Sequence, residues 1–250
     1  MKKHILFSAV LLLSSFASAN LIAQNRPSHA ITNLVVNDAT NPAPRDANLM
    51  RRHEGFVEEA KRGGIDLLFL GDSITDGWRG GGKAVWDKYY ASRHAANFGI
   101  GGDRTQHVLW RIEHGEVDGI KPRVVALMIG TNNTKQNGRD INTVPDIVQD
   151  ITVIVEELRA RLPESKILLL AIFPRGEKGD PIRDQIKDIN TTIAKLDNGR
   201  TIKYLDIGPK FLEPDGTLPR DMMPDLLHPN AKGYQIWADA IEPTLVEMMK

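Results

Sequence analysis

Five short apolar runs, most of them stopped by glycine or proline, constrain the fold more than any other feature of this 250-residue sequence. They cover residues 65–70, 95–100, 124–129, 166–172 and 201–205. Runs of about four to eight apolar residues with such stops fit strands buried on both faces of a parallel sheet. Between them the spacing turns helical. Ile147, Ile151, Ile154, Val155, Leu158 and Leu162 share one helical face, with Thr143 and Asp146 as a start signal and Pro163 as a stop. Residues 104–114, 182–196 and 231–249 are further helix candidates, and Pro243 is expected to bend or divide the last. This alternation predicts an α/β sandwich around a central parallel sheet, with right-handed crossovers placing helices on both faces.

The beginning of the chain has a different character. Lys2 and Lys3 precede an apolar run, residues 5–13, and small residues follow, ending Ala17-Ser18-Ala19. A basic end, a short apolar core and a small-x-small site form a secretory signal pattern. The run is too short for a membrane span, which needs about 20 apolar residues. The expected organisation is a signal peptide at 1–19, an N-terminal arm at 20–50 carrying Pro27, Pro42 and Pro44, and one domain at 51–250. The mature protein is expected to be exported, periplasmic or extracellular, with no stable membrane anchor. With 32 basic and 32 acidic residues there is no basic excess of the kind nucleic-acid binders carry, so no nucleic-acid partner is expected. The chain has no cysteine, which removes disulfides, thiolate metal sites and cysteine nucleophiles.

In open α/β sheets, functional groups gather at the carboxyl ends of strands. Gly71-Asp72-Ser73-Ile74-Thr75 follows the first run. After removal of residues 1–19, the serines are Ser28, Ser73, Ser92 and Ser165, and Ser73 alone follows a glycine turn at a strand end. It is either a nucleophile awaiting a base or the cap of the next helix. Gly99-Ile100-Gly101-Gly102-Asp103 follows the second run, where a backbone N–H can approach an oxyanion or simply form a tight turn. Gly130-Thr131-Asn132-Asn133 follows the third, offering an amide donor or an ordinary turn residue. Late in the chain, Asp225 and His228 stand three apart, so the carboxylate can orient the imidazole. Together these supply a nucleophile, a base, an orienting acid and oxyanion donors, which fits one active site better than separate accidents.

The blocks Gly71-Asp72-Ser73-Ile74, Gly101-Gly102-Asp103, Gly130-Thr131-Asn132 and Asp225-x-x-His228 resemble those of the SGNH (GDSL) hydrolase superfamily. Within it, the stretches 97–103, 107–111, 130–133 and 174–178 are similar to the catalytic subunits of intracellular platelet-activating-factor acetylhydrolase. The resemblance implies a three-layer α/β/α, flavodoxin-like fold with a five-stranded parallel sheet in the order 2-1-3-4-5. It implies ester hydrolysis by a Ser73–His228–Asp225 triad, with oxyanion donors from Ser73, Gly102 and Asn132, and neither metal nor cofactor. The expected substrate is a small-molecule or carbohydrate ester, preferably an O-acetyl group on carbohydrate, since an exported chain need not share the phospholipid of an intracellular namesake. Lysophospholipase or lipid acylhydrolase activity is the alternative, and a non-catalytic carbohydrate-binding protein is the rival from another class. Likeness to a dimeric enzyme also allows a homodimer.

Asp72, Trp78, Arg79, Asp103 and Arg175 are expected to contact substrate, Trp78 and Arg79 from a flexible loop beside the cleft. Residues 77–84 nearly spell a phosphate loop, but Ala84 stands where a magnesium-binding hydroxyl belongs. Ser73 is not in a G-x-S-x-G elbow, because Thr75 replaces the last glycine. His107 and His114 lie two turns apart on a helix, too far for a shared metal, and read as structural or solvent-facing.

Overall fold

The computed structural model describes residues 41–134 and 141–250. The expected signal peptide and residues 20–40 of the expected arm lie outside the described residues. Five strands form one parallel sheet: β1 (Leu67–Gly71), β2 (Ala95–Gly99), β3 (Val124–Met128), β4 (Lys166–Leu170) and β5 (Ile202–Leu205). Their order is β2-β1-β3-β4-β5, as expected. Gly71 is in register with Gly99 on one side and Met128 on the other. β1 and its two neighbours, β2 and β3, therefore end level, and the residues that follow them emerge on one rim at the switch point.

Helices cover both faces. Strand residues alternate between them: Leu68 and Leu70 join one core, Leu67 and Phe69 the other. The first face is covered by α1 (Ala47–Arg62), α4 (Thr105–Glu113), α5 (Val144–Arg161) and α6 (Pro181–Ile193), through residues such as Phe56, Val108, Ile151 and Ile186. The second is covered by α2 (Ser73–Asp76), α3 (Lys83–Tyr89) and α7 (Ala231–Met248), through Ile74, Val85, Trp237 and Leu245. Thr143 and Asp146 cap α5 reciprocally, as their spacing predicts.

Three features differ from the sequence reading. α1 crosses position 50, where arm and domain were divided, and buries His53, Phe56 and Ala60. α7 runs undivided through Pro243, which is exposed, so the backbone carbonyl that loses its partner there faces solvent. The glycine-rich stretch after Ser73 is a 3₁₀ turn at Gly77–Arg79 and a turn at 80–82 that leads into α3, with Trp78 sealed in the core. Among the described residues, no helix is long and apolar enough to cross a membrane.

Candidate active site

The rim above β1, β2 and β3 is built by tight backbone turns. A side chain at Gly71 would meet Met128 O and Thr75 Oγ1 at 2.3 Å, so only glycine lets β1 turn into α2 at this point. Asp72 caps the helix by accepting from Ile74 N at 2.9 Å. The capping role open to Ser73 thus belongs to its neighbour, and Ser73 becomes the first residue of α2. Its hydroxyl is left for other work.

That hydroxyl lies 2.9 Å from His228 Nε2. The other ring nitrogen, Nδ1, lies 2.6 Å from Asp225 Oδ2. Asp225 Oδ1 accepts from the backbone N–H groups of Leu227 at 3.0 Å and His228 at 2.7 Å. One carboxylate oxygen therefore shapes the turn while the other orients the ring. Burial opposes the Asp225 charge, but the His228 ring and these N–H groups outweigh it and hold the carboxyl below its ordinary pKa. A carboxylate on Nδ1 fixes the proton there and leaves Nε2 able to accept the Ser73 proton. Within this turn Leu226 adopts φ 59°, left-handed for a branched residue. It is held by burial of its side chain and by Gly176 N donating to its carbonyl at 2.9 Å.

Opposite the hydroxyl is the turn after β2. Asp103 N bonds Ile100 O at 3.2 Å, and Gly102 takes φ 75° inside that turn. Among the described residues, the N–H groups of Ser73 and Gly102 have no protein acceptor. Asn132, in the 3₁₀ turn after β3, donates from Nδ2 to Asp103 O at 2.8 Å. Three groups able to donate to an oxyanion thus converge on the same rim as Ser73.

The five residues expected to contact substrate fare differently. Trp78 is 1% exposed, packed on Tyr234 and Trp237 at centroid distances of 4.5 and 5.0 Å, which corrects its placement in a cleft-side loop. Asp72 is buried as the α2 cap, and burial pushes its carboxyl up to about 7. Asp103 is fully buried, and burial pushes it up to about 6 against the pull of Arg111 and Arg45. Neither is a surface contact for substrate. Arg79 is committed to Asp76 at 2.8 Å and to the carbonyl oxygens of Asn97 and Gly99. Arg175 stays at the rim, donating to Thr131 O at 3.0 Å. His107 accepts from Arg104 N at 2.9 Å as a structural residue, and the exposed His114 stacks on Trp110 at 3.9 Å and faces solvent.

What the sequence does not reveal is the ion network behind the Gly102 turn. Arg111 Nε meets Asp103 Oδ2 at 3.0 Å, and its Nη1 pairs with Glu116, whose second oxygen lies 3.3 Å from His53 Nδ1. Arg45 reaches the remaining oxygen of Asp103, Oδ1, at 3.4 Å. These partners come from the segment before α1, from α1, from α4 and from the turn after it, and no spacing rule links them. The only signal is proline: Pro42 and Pro44 stiffen the segment that delivers Arg45. Among the described residues, no group of three or more His, Asp or Glu is clustered to hold a metal ion.

Residues 69–236 match the GDSL-like lipase/acylhydrolase family model. The chain is 34% identical over 209 residues to platelet-activating factor acetylhydrolase IB subunit alpha2 of Rattus norvegicus, covering 82% of this chain and 86% of the relative. It is 33% identical over 219 residues to subunit alpha1 of Homo sapiens, covering 85% and 91%. The crystal structure of an acetyl xylan esterase shares the fold, with TM-score 0.58 and 23% identity over 72% of this chain and all of that one. With the family pattern spanning the rim that carries Ser73, Gly102 and Asn132 and reaching past His228, the chain belongs to the GDSL-like lipase/acylhydrolase family and is a carboxylic ester hydrolase.

Proposed function

We propose that this chain is an exported serine esterase that removes acetyl and other short acyl groups from carbohydrate esters. One observation carries the reading: the unbroken relay from Asp225 through His228 to Ser73, with contacts of 2.6 and 2.9 Å. Ser73 Oγ attacks the ester carbonyl as His228 Nε2 takes its proton, and Asp225 stabilises the imidazolium that forms. The negative charge that develops on the carbonyl oxygen is held by the N–H groups of Ser73 and Gly102 and by the Asn132 amide. His228 then protonates the leaving alcohol. Water, activated by the same ring, attacks the acyl-enzyme and frees the acid.

The preference for acetyl groups is supported by the acetylhydrolase relatives and by the acetyl xylan esterase that shares the fold. The carbohydrate part rests on the secretory pattern of residues 1–19 and on the openness of the site: the His228 side chain is 41% exposed, so a bulky alcohol can approach it. A second reading, hydrolysis of lipid acyl esters, is favoured by the name of the relatives.

The test is hydrolysis of p-nitrophenyl esters by the wild type, Ser73→Ala and Asn132→Ala. Ser73→Ala is expected to lower kcat by about 10⁶. Asn132→Ala is expected to lower it by about 10²–10³ with folding intact. Activity that survives in folded Ser73→Ala overturns the mechanism. Lengthening the acyl chain separates the substrates: a rate that falls beyond acetyl supports the first reading, and one that climbs with length supports the second. Deacetylation of acetylated xylooligosaccharides, set beside hydrolysis of a lysophospholipid, then reads the alcohol directly.

A further inference from the structure

Asp103 fixes the oxyanion side of the site through three different groups. Its N–H closes the turn that contains Gly102, bonding Ile100 O at 3.2 Å. Its carbonyl accepts from Asn132 Nδ2 at 2.8 Å, which sets the plane of that amide. Its side chain is fully buried between two guanidinium groups. Arg111, itself buried, holds Oδ2 at 3.0 Å from within the core. Arg45 holds Oδ1 at 3.4 Å from the other side and is 23% exposed.

Arg45 also lies against Gly102 directly. A side-chain carbon built on Gly102 would stand 3.3 Å from both terminal nitrogens of Arg45. The segment that delivers this guanidinium is itself tied to the rim, since Ala43 N donates to Gln106 O at 3.3 Å. Glycine at positive φ has more backbone freedom than any other residue, so the aim of the Gly102 N–H is only as fixed as its surroundings. A packed, charge-paired group on the open side of the turn removes that freedom.

We infer that Arg45 is a positioning residue for ester hydrolysis: by gripping Asp103 and covering Gly102, it holds both the Gly102 N–H and the Asn132 amide on the oxyanion. The inference rests on the proposed roles of Gly102 and Asn132. It assigns a part in turnover to a residue outside the α/β core, in a segment whose sequence reads only as an arm. Asp103 is buried, but Arg111 still holds its Oδ2 when Arg45 is removed, so the carboxylate keeps a partner and the loss of stability is limited. A displacement of about 1 Å at a reacting group, by contrast, can cost about 10²-fold in rate. The signature of Arg45 is therefore kinetic.

The experiment uses the full chain and p-nitrophenyl acetate, with Arg45→Ala, Arg45→Lys, Asp103→Asn and the Arg45→Ala/Asp103→Asn pair. Arg45→Ala is expected to lower kcat about tenfold while KM stays within about twofold and the melting temperature falls by only a few degrees. Arg45→Lys, which keeps a cation near Asp103, is expected to recover most of the loss. In the Asp103→Asn background, Arg45→Ala is expected to cost nothing more, because the grip is already gone. Wild-type kcat in Arg45→Ala overturns the inference. So does a raised KM with unchanged kcat, which would make Arg45 a substrate contact, and so does a full additional loss in the double variant. If Asp103→Asn does not fold, the kcat–KM split and the lysine rescue decide alone. Ser73→Ala run alongside separates the two levels: if it is inactive while Arg45→Ala is fully active, only the Arg45 assignment falls. If it stays active, the reading of the site falls and this inference with it.

Discussion

On the α1–α4–α5–α6 face of the sheet, the buried contacts are almost entirely aliphatic, with one stacked aromatic pair, Phe56 on Phe98 at 4.6 Å. On the α2–α3–α7 face, Phe69, Trp78, Tyr90, Phe173, Phe211, Tyr234 and Trp237 pack together, most in edge-on or tilted pairs. Aliphatic packing is adaptable and non-directional, whereas aromatic rings favour particular tilts and carry polar atoms that need placing. The chemistry divides along the same line. Ser73 and the turn holding His228 stand on the elements of the aromatic face, and Tyr234 Oη ties α7 to α2 by donating to Ile74 O at 2.7 Å. The Gly102 turn is instead braced by the ion network set among α1 and α4. The Ser73 hydroxyl and the His228 ring thus stand on ring-packed elements, and the Gly102 turn on charge-paired ones.

Breaking the aromatic face should give the largest effect. Trp237→Ala removes a side chain that touches Phe69, Trp78, Phe173 and Tyr234. It is expected to cost about 3–5 kcal/mol in urea unfolding, against about 0.5–1.5 kcal/mol for Ile151→Val on the other face. A cost below about 1.5 kcal/mol for Trp237→Ala would show that the rings of this face are not close-packed around it. A sharper cut is Tyr234→Phe, which leaves Ile74 O buried without its donor. Stability is expected to fall by about 1–3 kcal/mol. Because the lost bond joins the two halves of the relay, kcat should fall more than KM changes, and an unchanged kcat would detach the ring packing from the chemistry. The smallest effect is expected from Tyr90→Phe. Among the described residues, the Tyr90 hydroxyl has no partner and burial raises its pKa far above the ordinary phenol value. Its removal should be neutral or stabilising by up to about 1 kcal/mol, and a clear loss in the thermal melt would reveal a hidden partner.

The strands, the strand-end residues and the Asp225–His228 pair were legible because they depend on local pattern. An apolar run of strand length stopped by glycine reads as a buried strand from its own residues, and residues three apart in a turn meet without help from the rest of the chain. Trp78 was misplaced for the converse reason. Gly77, Gly80, Gly81 and Gly82 read as a flexible loop, yet Gly77 and Gly82 let the backbone pass close to Tyr234 and Trp78: a side-chain carbon at Gly82 would stand 2.7 Å from the Trp78 ring. α1 escaped notice because its buried face is thin, only His53, Phe56 and Ala60 among charged neighbours. The roles of Asp103 and Arg45 depend on partners 58 residues apart, which no local period encodes.

Ser73 and His228 lie 155 residues apart in the chain and touch across a single hydrogen bond. Between them come every strand but β1 and every helix but α1, α2 and α7. A chain still being synthesised therefore holds the Ser73 hydroxyl long before it holds the His228 ring. Loop closure of this span grows only logarithmically costly with length, so the delay lies in chain order: α7, which packs against α3, is the last element to be made. Return of esterase activity during refolding should mark the last step of assembly, while signals from the β1–β3 core report an earlier one.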